Sequence, residues 1–358
     1  MKLIRLTGIL ALLVGLLAPT ASVSAASAAY VHPGQSIQAA LDAAPAGGMV
    51  VVERGTYRAN LDITRPVRLI GHGAIIVPAA TPTQNSCLAG IPGMVMGICV
   101  YGGSNPDGTI ARTISDVSIE GFTIRNFSGP GIVAAGVSNF RVVRNVIAHN
   151  GFWGIDVGVS SGVSLLYNTV YGNGGDGIRV DYSPAANATI VGNASYGNLG
   201  TGIMFLSALG GRIALNTMYD NCAGIVVAAV GDPTQSGAGN VSVVLNQVLA
   251  NNRLCAAVPD QGSPAYGGIG ITLIGTRDTL VALNDVRANV AQPGSSLSGG
   301  GILLLDGAMF GAPAPTGTSV RLNSLSGNAP NDIFGDSTGT GNTISGNSCT
   351  TWNVPGVC

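Results

Sequence analysis

The segments YNTVYGN (167–173), GNASYGN (192–198) and LNTMYDN (215–221) each place one Asn five residues after another. The pattern recurs in RNVIAHN (144–150), LNQVLAN (245–251), LNDVRAN (283–289), LNSLSGN (322–328) and GNTISGN (341–347). Successive leading Asn residues are 23, 25, 23, 30, 38, 39 and 19 positions apart. GFTIRN (121–126) fits as an earlier copy with Gly121 in place of the first Asn. A period in the low twenties indicates a solenoid, in which each coil buries its apolar side against its neighbours.

A second short motif follows most copies of the Asn pattern. It reads GIVA (131–134), GIDV (154–157), GIRV (177–180), GIMF (202–205), GIVV (224–227), GITL (270–273) and GILL (301–304). Short β-branched runs such as VSVVL (241–245) precede the leading Asn. Each coil is therefore predicted to hold three short strands, with Asn at a corner where a stacked amide satisfies the backbone of the next coil.

These repeats resemble those of the right-handed parallel β-helix proteins with PbH1-type repeats, in the pectate-lyase-like superfamily. The opening HPGQSIQAALDAAPAGGMVVVERGTYRANLDITRPVRLIGHG (32–73) is similar to the start of many such proteins. The resemblance implies an all-β, single-domain fold of roughly ten coils, with SIQAALDAA (36–44) as a short N-terminal capping helix. The expected boundaries are a cap at about 29–48, coils at about 49–347 and a disulfide-closed tail at 348–358.

The N-terminus has the pattern of a secretory signal peptide. A basic start at Lys2 and Arg5 precedes the apolar stretch 6–25, and small residues near Ala25 and Ala28 offer cleavage sites. We therefore expect residues 1–28 to be removed and the protein to be secreted. The even number of cysteines in an exported chain predicts disulfides. Chain order suggests the pairs Cys87–Cys99, Cys222–Cys255 and Cys349–Cys358.

The charge balance restricts the kinds of partner. Beyond residue 28 the chain carries fourteen Arg, fifteen Asp and two Glu, a net charge of about −3, and no Lys. Nucleic acid is therefore excluded as a partner, since it requires a basic surface. No Cys/His spacing or dense Asp run predicts a metal site, and no cofactor is expected. We further expect a polysaccharide or small-molecule ligand, no transmembrane anchor and a monomeric protein.

Strand alternation predicts which residues of the GIxV motif face outward. One outward row reads Val133, Asp156, Arg179, Met204, Val226, Thr272 and Leu303 across successive coils. Asp156 and Arg179 should be direct neighbours, with Asp181 beside them. The inserts 231–239, 255–268, 291–300 and 306–318 flank this strand. The sequence predicts a cleft whose floor is apolar and whose earlier end is charged, although the inserts could instead plug the apolar face.

Asp156, Arg179 and Asp181 are the candidate catalytic residues, with His149 and Tyr182 as helpers. A lyase or epimerase acting on uronic acids needs a base, an acid and a cation, whereas a glycosidase needs two carboxyl groups. WGIDV (153–157) resembles part of the Tyr-Gly-Phe-Asp-Pro-His-Asp signature of mannuronan epimerases, but Val157, Gly158 and Val159 replace its last three residues. The alternative is an ion pair that only joins two coils.

The candidate ligand-binding residues are aromatic or lie on the cleft floor. They are Trp153, Tyr171, Tyr196, Tyr219, Met204, Leu206, Thr272 and Leu303. The three stacked tyrosines suit a sugar-binding platform, or else an aromatic ladder that supports the coil. Three functions remain open: a carbohydrate-active lyase, epimerase or glycosidase; a noncatalytic binding protein; or an acid/base enzyme or binder for a smaller apolar ligand.

Overall fold

The computed structural model describes residues 28–88, 93–231, 237–257, 264–336, 339–353 and 356–358. The signal peptide expected at 1–28 therefore lies, except for Ala28, outside the described residues. In the described part the chain winds through three parallel sheets, and each coil gives one strand to each sheet. The sheets are named sheet 1, sheet 2 and sheet 3 below, and their strands are numbered in chain order.

Sheet 1 has thirteen strands within the described ranges. They are β1 (Ala29–Val31), β2 (Gly48–Val52), β5 (Val67–Gly71), β9 (Ser118–Glu120), β13 (Arg141–Val143), β16 (Ser164–Leu166), β19 (Ala188–Val191), β22 (Leu209–Ala214), β25 (Ala238–Val244), β28 (Thr276–Arg277), β29 (Leu280–Ala282), β32 (Ser319–Arg321) and β35 (Thr343–Ser345).

Sheet 2 has ten strands in the same described part. They are β3 (Gly55–Arg58), β6 (Ala74–Val77), β10 (Thr123–Arg125), β14 (Val146–Ala148), β17 (Thr169–Tyr171), β20 (Ala194–Tyr196), β23 (Thr217–Tyr219), β26 (Gln247–Leu249), β30 (Asp285–Arg287) and β33 (Ser324–Ser326).

Sheet 3, which carries the GIxV motifs, also has ten strands among the residues described. They are β4 (Leu61–Ile63), β7 (Ile98–Tyr101), β11 (Ile132–Ala135), β15 (Ile155–Gly158), β18 (Ile178–Asp181), β21 (Thr201–Leu206), β24 (Ala223–Ala228), β27 (Ile269–Ile274), β31 (Gly300–Leu305) and β34 (Ile333–Gly335). A small pair is formed by β8 (Ile114–Ser115) and β12 (Val137–Ser138), and 3-10 turns span Ser86–Leu88 and Ala308–Phe310.

This arrangement is a parallel β-helix, and it confirms the predicted all-β fold of roughly ten coils. The motif residues alternate as expected, so that Ile155 and Val157 are fully buried in the central core while Asp156 points away from it. The predicted capping helix is present as α1 (Ile37–Ala43). Ser36 begins it, because its Oγ atom accepts a hydrogen bond from the Ala39 N–H. Ile37 and Leu41 cover the end of the core.

Two buried Asn ladders run along the corners on either side of sheet 2. Asn216 shows the pattern: its Nδ2 donates to Asn246 Oδ1 at 3.0 Å and to the Ile190 carbonyl at 2.9 Å. Its backbone N–H donates to the same Asn246 Oδ1. Each amide therefore links its own coil to the preceding coil and to the next one. The first ladder comprises Asn145, Asn168, Asn193, Asn216, Asn246, Asn284, Asn323 and Asn347, and the second comprises Asn150, Asn173, Asn198, Asn221, Asn251, Asn289 and Asn328.

The structure corrects the repeat register at both ends. Phe122 and Phe127 hold the Asn positions of the early copy, and their N–H groups donate to Asn145 and Asn150. Gly121, the expected equivalent, is one position too early. At the C-terminal end Asn323 donates to Asn347. Asn342, the leading Asn of the last copy, therefore lies outside the ladder. The sequence alone does not distinguish the two alignments, because either Asn342 or Asn347 can be matched to Asn323.

The predicted disulfides are all present, with Cα–Cα distances of 5.8 Å for Cys87–Cys99, 5.7 Å for Cys222–Cys255 and 5.3 Å for Cys349–Cys358. In the described ranges no helix is long and apolar enough to cross a membrane.

Candidate functional site

Arg179 on β18 is the centre of a buried group of charges on the outer side of sheet 3. Asp156 lies opposite it on β15, and Asp181 follows it two positions along β18. This adjacency is the one expected from the sequence. The turn before β18 adds a third carboxylate, Asp176. All four side chains are largely buried, since the exposed fraction of the Arg179 side chain is 16% and that of each carboxylate is lower.

The three carboxylates do not share Arg179 equally. Its Nε atom donates to Asp181 Oδ2 at 2.9 Å, and its Nη1 atom donates to Asp176 Oδ2 at 3.3 Å. Asp156 Oδ1 is 3.8 Å from Nε and has no hydrogen-bond partner among the described residues. Asp176 is also fixed by the backbone, because its Oδ1 accepts from the Thr201 N–H at 2.7 Å.

Burial and mutual repulsion set the protonation of these groups. Burial raises the pKa of Asp156 well above its usual range, and the Asp181 carboxylate raises it further against the opposing effect of Arg179. Burial also raises the pKa of Asp181, although Arg179 partly offsets it. Burial alone would lower the pKa of Arg179, but the Asp176 and Asp181 carboxylates raise it, so the guanidinium stays charged. The site thus combines one cation, two ion-paired carboxylates and a third that favours its neutral acid form.

Trp153 covers the other side of Arg179. The Arg179 Cζ atom lies 4.8 Å from the centre of the Trp153 ring, which is a cation–π distance. Gly175 makes this placement possible, since a Cβ atom there would lie 2.9 Å from Trp153 Cδ1. Gly158 does the same for Asp181, whose Oδ1 would be 2.7 Å from an added Cβ. The local glycines therefore leave space for the charged group.

A cavity of about 570 Å³ begins at this charged group and extends over the following coils. Asp176, Arg179, Trp153, Tyr182 and Tyr266 line its polar end. The Tyr266 hydroxyl lies 3.3 Å from Thr201 Oγ1, and burial together with the Asp176 carboxylate raises its pKa. Its phenol therefore stays protonated and can act as a hydrogen-bond donor.

The remaining floor of the cavity is apolar and belongs to β21, β24 and β27. Its side chains are Met204, Leu206, Val226, Ala228, Thr272 and Ile274. Thr272 is the exception in this group, and its Oγ1 has no hydrogen-bond partner within the described residues. The predicted cleft, charged at its earlier end and apolar along its floor, is thus present in the structure.

The inserts form the walls of this cavity. Cys255, Tyr266, Leu297 and Phe310 contribute to its lining from three of the four inserts named above. The fourth adjoins it at Gly231, whose N–H donates to the Phe310 carbonyl. The Cys222–Cys255 disulfide ties the 255–268 wall to the start of β24. The described residues of the inserts pack over the apolar face, and a cavity remains between them and the floor.

Several predicted site residues lie elsewhere. Leu303 is fully buried beside the floor and does not line the cavity. His149 follows β14 of sheet 2, a different sheet from that of Asp156, and its ring stands edge-on to Tyr171 at 5.1 Å. It contacts the tyrosine stack, whereas the sequence predicted it as a helper of the Asp156, Arg179 and Asp181 group. Asp156 and Asp181 lie behind Arg179 and do not line the cavity.

Tyr171, Tyr196 and Tyr219 are stacked on sheet 2 as predicted, away from the cavity. Their ring centres are 5.0 and 4.6 Å apart, and the ring planes differ by 2° and 5°. The faces of the middle ring are covered by its neighbours. This geometry favours the aromatic ladder over the sugar-binding platform.

Sequence reasoning missed Asp176 and Tyr266 as site residues. Asp176 lies in the turn before β18, outside the repeat pattern of the strands, and its side chain points to Arg179. Tyr266 belongs to an insert without repeat register, so its position could not be aligned. Within the described part no group of three or more His, Cys, Asp or Glu residues could hold a metal ion.

The described geometry agrees with comparisons to known proteins. The family described as "Right handed beta helix region" matches residues 91–349, which is most of the chain. The chain belongs to this right-handed β-helix family. Comparison with curated protein sequences found no match.

Several solved structures are similar to most of the chain. The A-module of the mannuronan C-5 epimerase AlgE6 from Azotobacter vinelandii is 18% identical, with a TM-score of 0.57 over 89% of this chain and 91% of that one. DFA-IIIase from Arthrobacter chlorophenolicus is 15% identical, with a TM-score of 0.55 over 86% and 80%. An alginate lyase from Paenibacillus sp. is 12% identical, with a TM-score of 0.52 over 91% and 99%. At these identities the likeness concerns the fold.

Proposed function

We propose that this β-helix protein is a secreted carbohydrate-active enzyme that binds a saccharide in the cavity and cleaves a glycosidic bond by acid/base chemistry. The observation that carries the proposal is Asp176, a carboxylate fixed by two hydrogen bonds at the polar end of the cavity, where the Tyr266 hydroxyl keeps its proton. Hydrolysis of a glycosidic bond needs a base to activate water and an acid to protonate the leaving oxygen. Enzymes acting on saccharides among the structural neighbours, and the three disulfides expected of an exported chain, support it.

Asp176 is the carboxylate placed to meet a substrate, because it lines the cavity. Its hydrogen bonds to Arg179 and to the Thr201 backbone hold it in position as a base. The Tyr182 and Tyr266 hydroxyls lie at the same end of the cavity. Asp156 and Asp181 act on Arg179 from behind and are positioning residues in this proposal. Trp153 supplies an aromatic edge for a sugar ring.

The charge of the site favours a neutral saccharide over a polyuronate. A lyase or epimerase needs a cation free to neutralise the substrate carboxylate. Arg179 is already ion-paired with the Asp176 and Asp181 carboxylates, so the site presents no uncompensated positive charge. A further carboxylate from a uronic acid would be repelled. The glycosidase form of the proposal is therefore the one that the geometry supports best.

The test is an assay of the purified protein on neutral and anionic polysaccharides and oligosaccharides, following both reducing ends and unsaturated products. We expect reducing ends from neutral substrates, and a loss of at least ~100-fold in kcat/KM for Asp176→Asn. Asp220→Asn, an exposed carboxylate paired with Arg253, is the matched control and should be unchanged. Unsaturated products from polyuronates would contradict the proposal. Binding without turnover would instead make this a noncatalytic binding protein.

A further inference from the structure

The floor of the cavity differs in character from its polar end. Met204, Leu206, Val226, Ala228 and Ile274 present methyl and methylene groups to the space. They belong to an apolar cluster outside the central core, which also includes Phe310 and Leu297 from the inserts. A sugar ring carries hydroxyl groups on most of its edge, and these would lose hydrogen bonds to water over such a floor.

The inserts do not account for the whole of this apolar surface. If they served only to cover sheet 3, packing at normal interior density would leave little space beneath them. The cavity of about 570 Å³ falls within the size range of sites for small molecules. The apolar side chains that line this cavity are therefore suited to an apolar group of a ligand.

Thr272 is a second and independent indication of a ligand. Its side chain lies on the floor between Val226 and Leu303 in the strand register. It is 1% exposed, and its Oγ1 has no hydrogen-bond partner in the described part of the chain. A buried hydroxyl without a partner is unfavourable, and valine would fit the same space without that cost. A polar atom on the ligand would satisfy it.

The register places these features along one line. Arg179, Met204, Val226 and Thr272 occupy successive strands of sheet 3. With neighbouring strands about 4.8 Å apart, Thr272 is roughly 14 Å from Arg179. A ligand that reaches both must have a polar head at the Arg179 end and an apolar arm with a hydrogen-bonding atom near Thr272.

We propose that the substrate is an amphiphilic saccharide, whose sugar lies at the Asp176–Arg179 end and whose alkyl or acyl arm lies on the floor, with a hydroxyl or carbonyl of the arm paired to Thr272. This inference rests on the proposed function for the sugar half. The apolar half rests on the floor and on Thr272 alone.

The experiment uses n-alkyl glucosides from methyl to decyl as probes, at concentrations below micelle formation, with Kd measured by calorimetry. Each added CH₂ should lower Kd about fourfold until the floor is filled. Met204→Gln should reduce the gain from the long chains several-fold, because the residue is half-buried and lines the cavity. Leu215→Gln, an exposed leucine away from the cavity, is the matched control and should leave Kd unchanged.

Thr272→Val tests the polar contact with the same series. Plain alkyl glucosides should bind the variant equally well or better. Glucosides whose arm carries a hydroxyl at its far end should bind it at least fivefold more weakly than the wild type. Equal effects on both kinds of arm would overturn the role of Thr272.

The saccharide half and the apolar half of the proposal can be disproved by different results. If decyl glucoside binds no tighter than methyl glucoside while reducing ends are still released from neutral glycans, the amphiphilic substrate is wrong and the proposed function stands. If decanol binds as tightly as decyl glucoside and no glycan is cleaved, the saccharide half is wrong, and the proposed function fails with it.

Discussion

Asp156 lies directly beside Arg179 on adjacent strands, yet its Oδ1 stays 3.8 Å from Arg179 Nε and accepts no hydrogen bond from any described residue. Asp181 takes the Nε hydrogen bond instead, at 2.9 Å. One guanidinium cannot compensate three buried carboxylates, and Asp156 is the one left to hold a proton. This relationship has consequences for both stability and pH dependence.

Asp156→Asn should change how stability depends on pH. The pKa of Asp156 is raised in the folded state, so above about pH 4 the folded protein binds more protons than the unfolded chain. The free energy of unfolding of the wild type therefore falls as pH rises through this window. We expect the free energy of unfolding of the variant to fall less over this window. The Tm of the variant should therefore rise relative to that of the wild type from pH 4 towards pH 7. Thermal unfolding across this range measures it, and a constant difference would contradict the prediction.

Arg179→Gln should destabilise the protein strongly. It leaves Asp156, Asp176 and Asp181 buried without a cation, and breaking a buried ion pair in this way costs about 3–5 kcal/mol. Arg144→Gln is the control, because Arg144 is 65% exposed in its pair with Glu120 and such pairs contribute at most about 1 kcal/mol. Denaturant unfolding compares the two variants. A similar loss in the free energy of unfolding of both variants would mean that the buried ion pairs stabilise the protein no more than the exposed one.

The sequence was sufficient for the fold and for part of the site. Period and strand alternation together placed Asp156, Arg179 and Asp181 side by side, because both rules act through the backbone of regular strands. These two rules did not predict Asp176, because it lies in a turn, where alternation does not fix the direction of a side chain. Tyr266, Leu297 and Phe310 could not be placed because inserts have no counterpart in the other coils.

The misplaced expectations have similar causes. His149 is near Trp153 in sequence, but a corner separates them, because His149 follows β14 of sheet 2 and Trp153 precedes β15 of sheet 3. Phe122 and Phe127 replace the first Asn pair, so the copy that starts the ladders was aligned one position off. The length of a repeat is thus easier to obtain from sequence than its register at the two ends.

Asn246→Ala should destabilise the solenoid by about 1–3 kcal/mol. Asn246 Oδ1 accepts from the side chain and backbone of Asn216, and its Nδ2 donates to the Ile213 carbonyl. Truncation leaves these buried groups unpaired. The adjacent Gln247 is exposed, so Gln247→Ala is the matched control and should change the free energy of unfolding little. Equal effects at the two positions would show that the ladder does not contribute.

Loss of the Cys222–Cys255 disulfide should loosen the cavity wall selectively. The paired serine variant at these positions frees a loop of 33 residues, and loop closure of this size contributes about 3–4 kcal/mol. Limited proteolysis should then cut within 255–268. The serine pair at Cys349 and Cys358 is the control and should leave that wall protected. Unchanged cleavage in the first variant would show that packing alone holds the wall.

Tyr196→Leu tests whether the tyrosine stack supports the coil or binds sugar. Tyr171 and Tyr219 cover both faces of the Tyr196 ring at 5.0 and 4.6 Å, so little of it is open to a sugar. Aromatic pairs of this kind contribute about 0.5–1.5 kcal/mol each beyond burial. We therefore expect a lower Tm and an unchanged Kd for any saccharide that the protein binds. Tyr30→Leu, at an exposed tyrosine outside the stack, should change neither quantity. A weaker Kd with an unchanged Tm would instead make the stack a second sugar-binding surface, on a different sheet from the cavity.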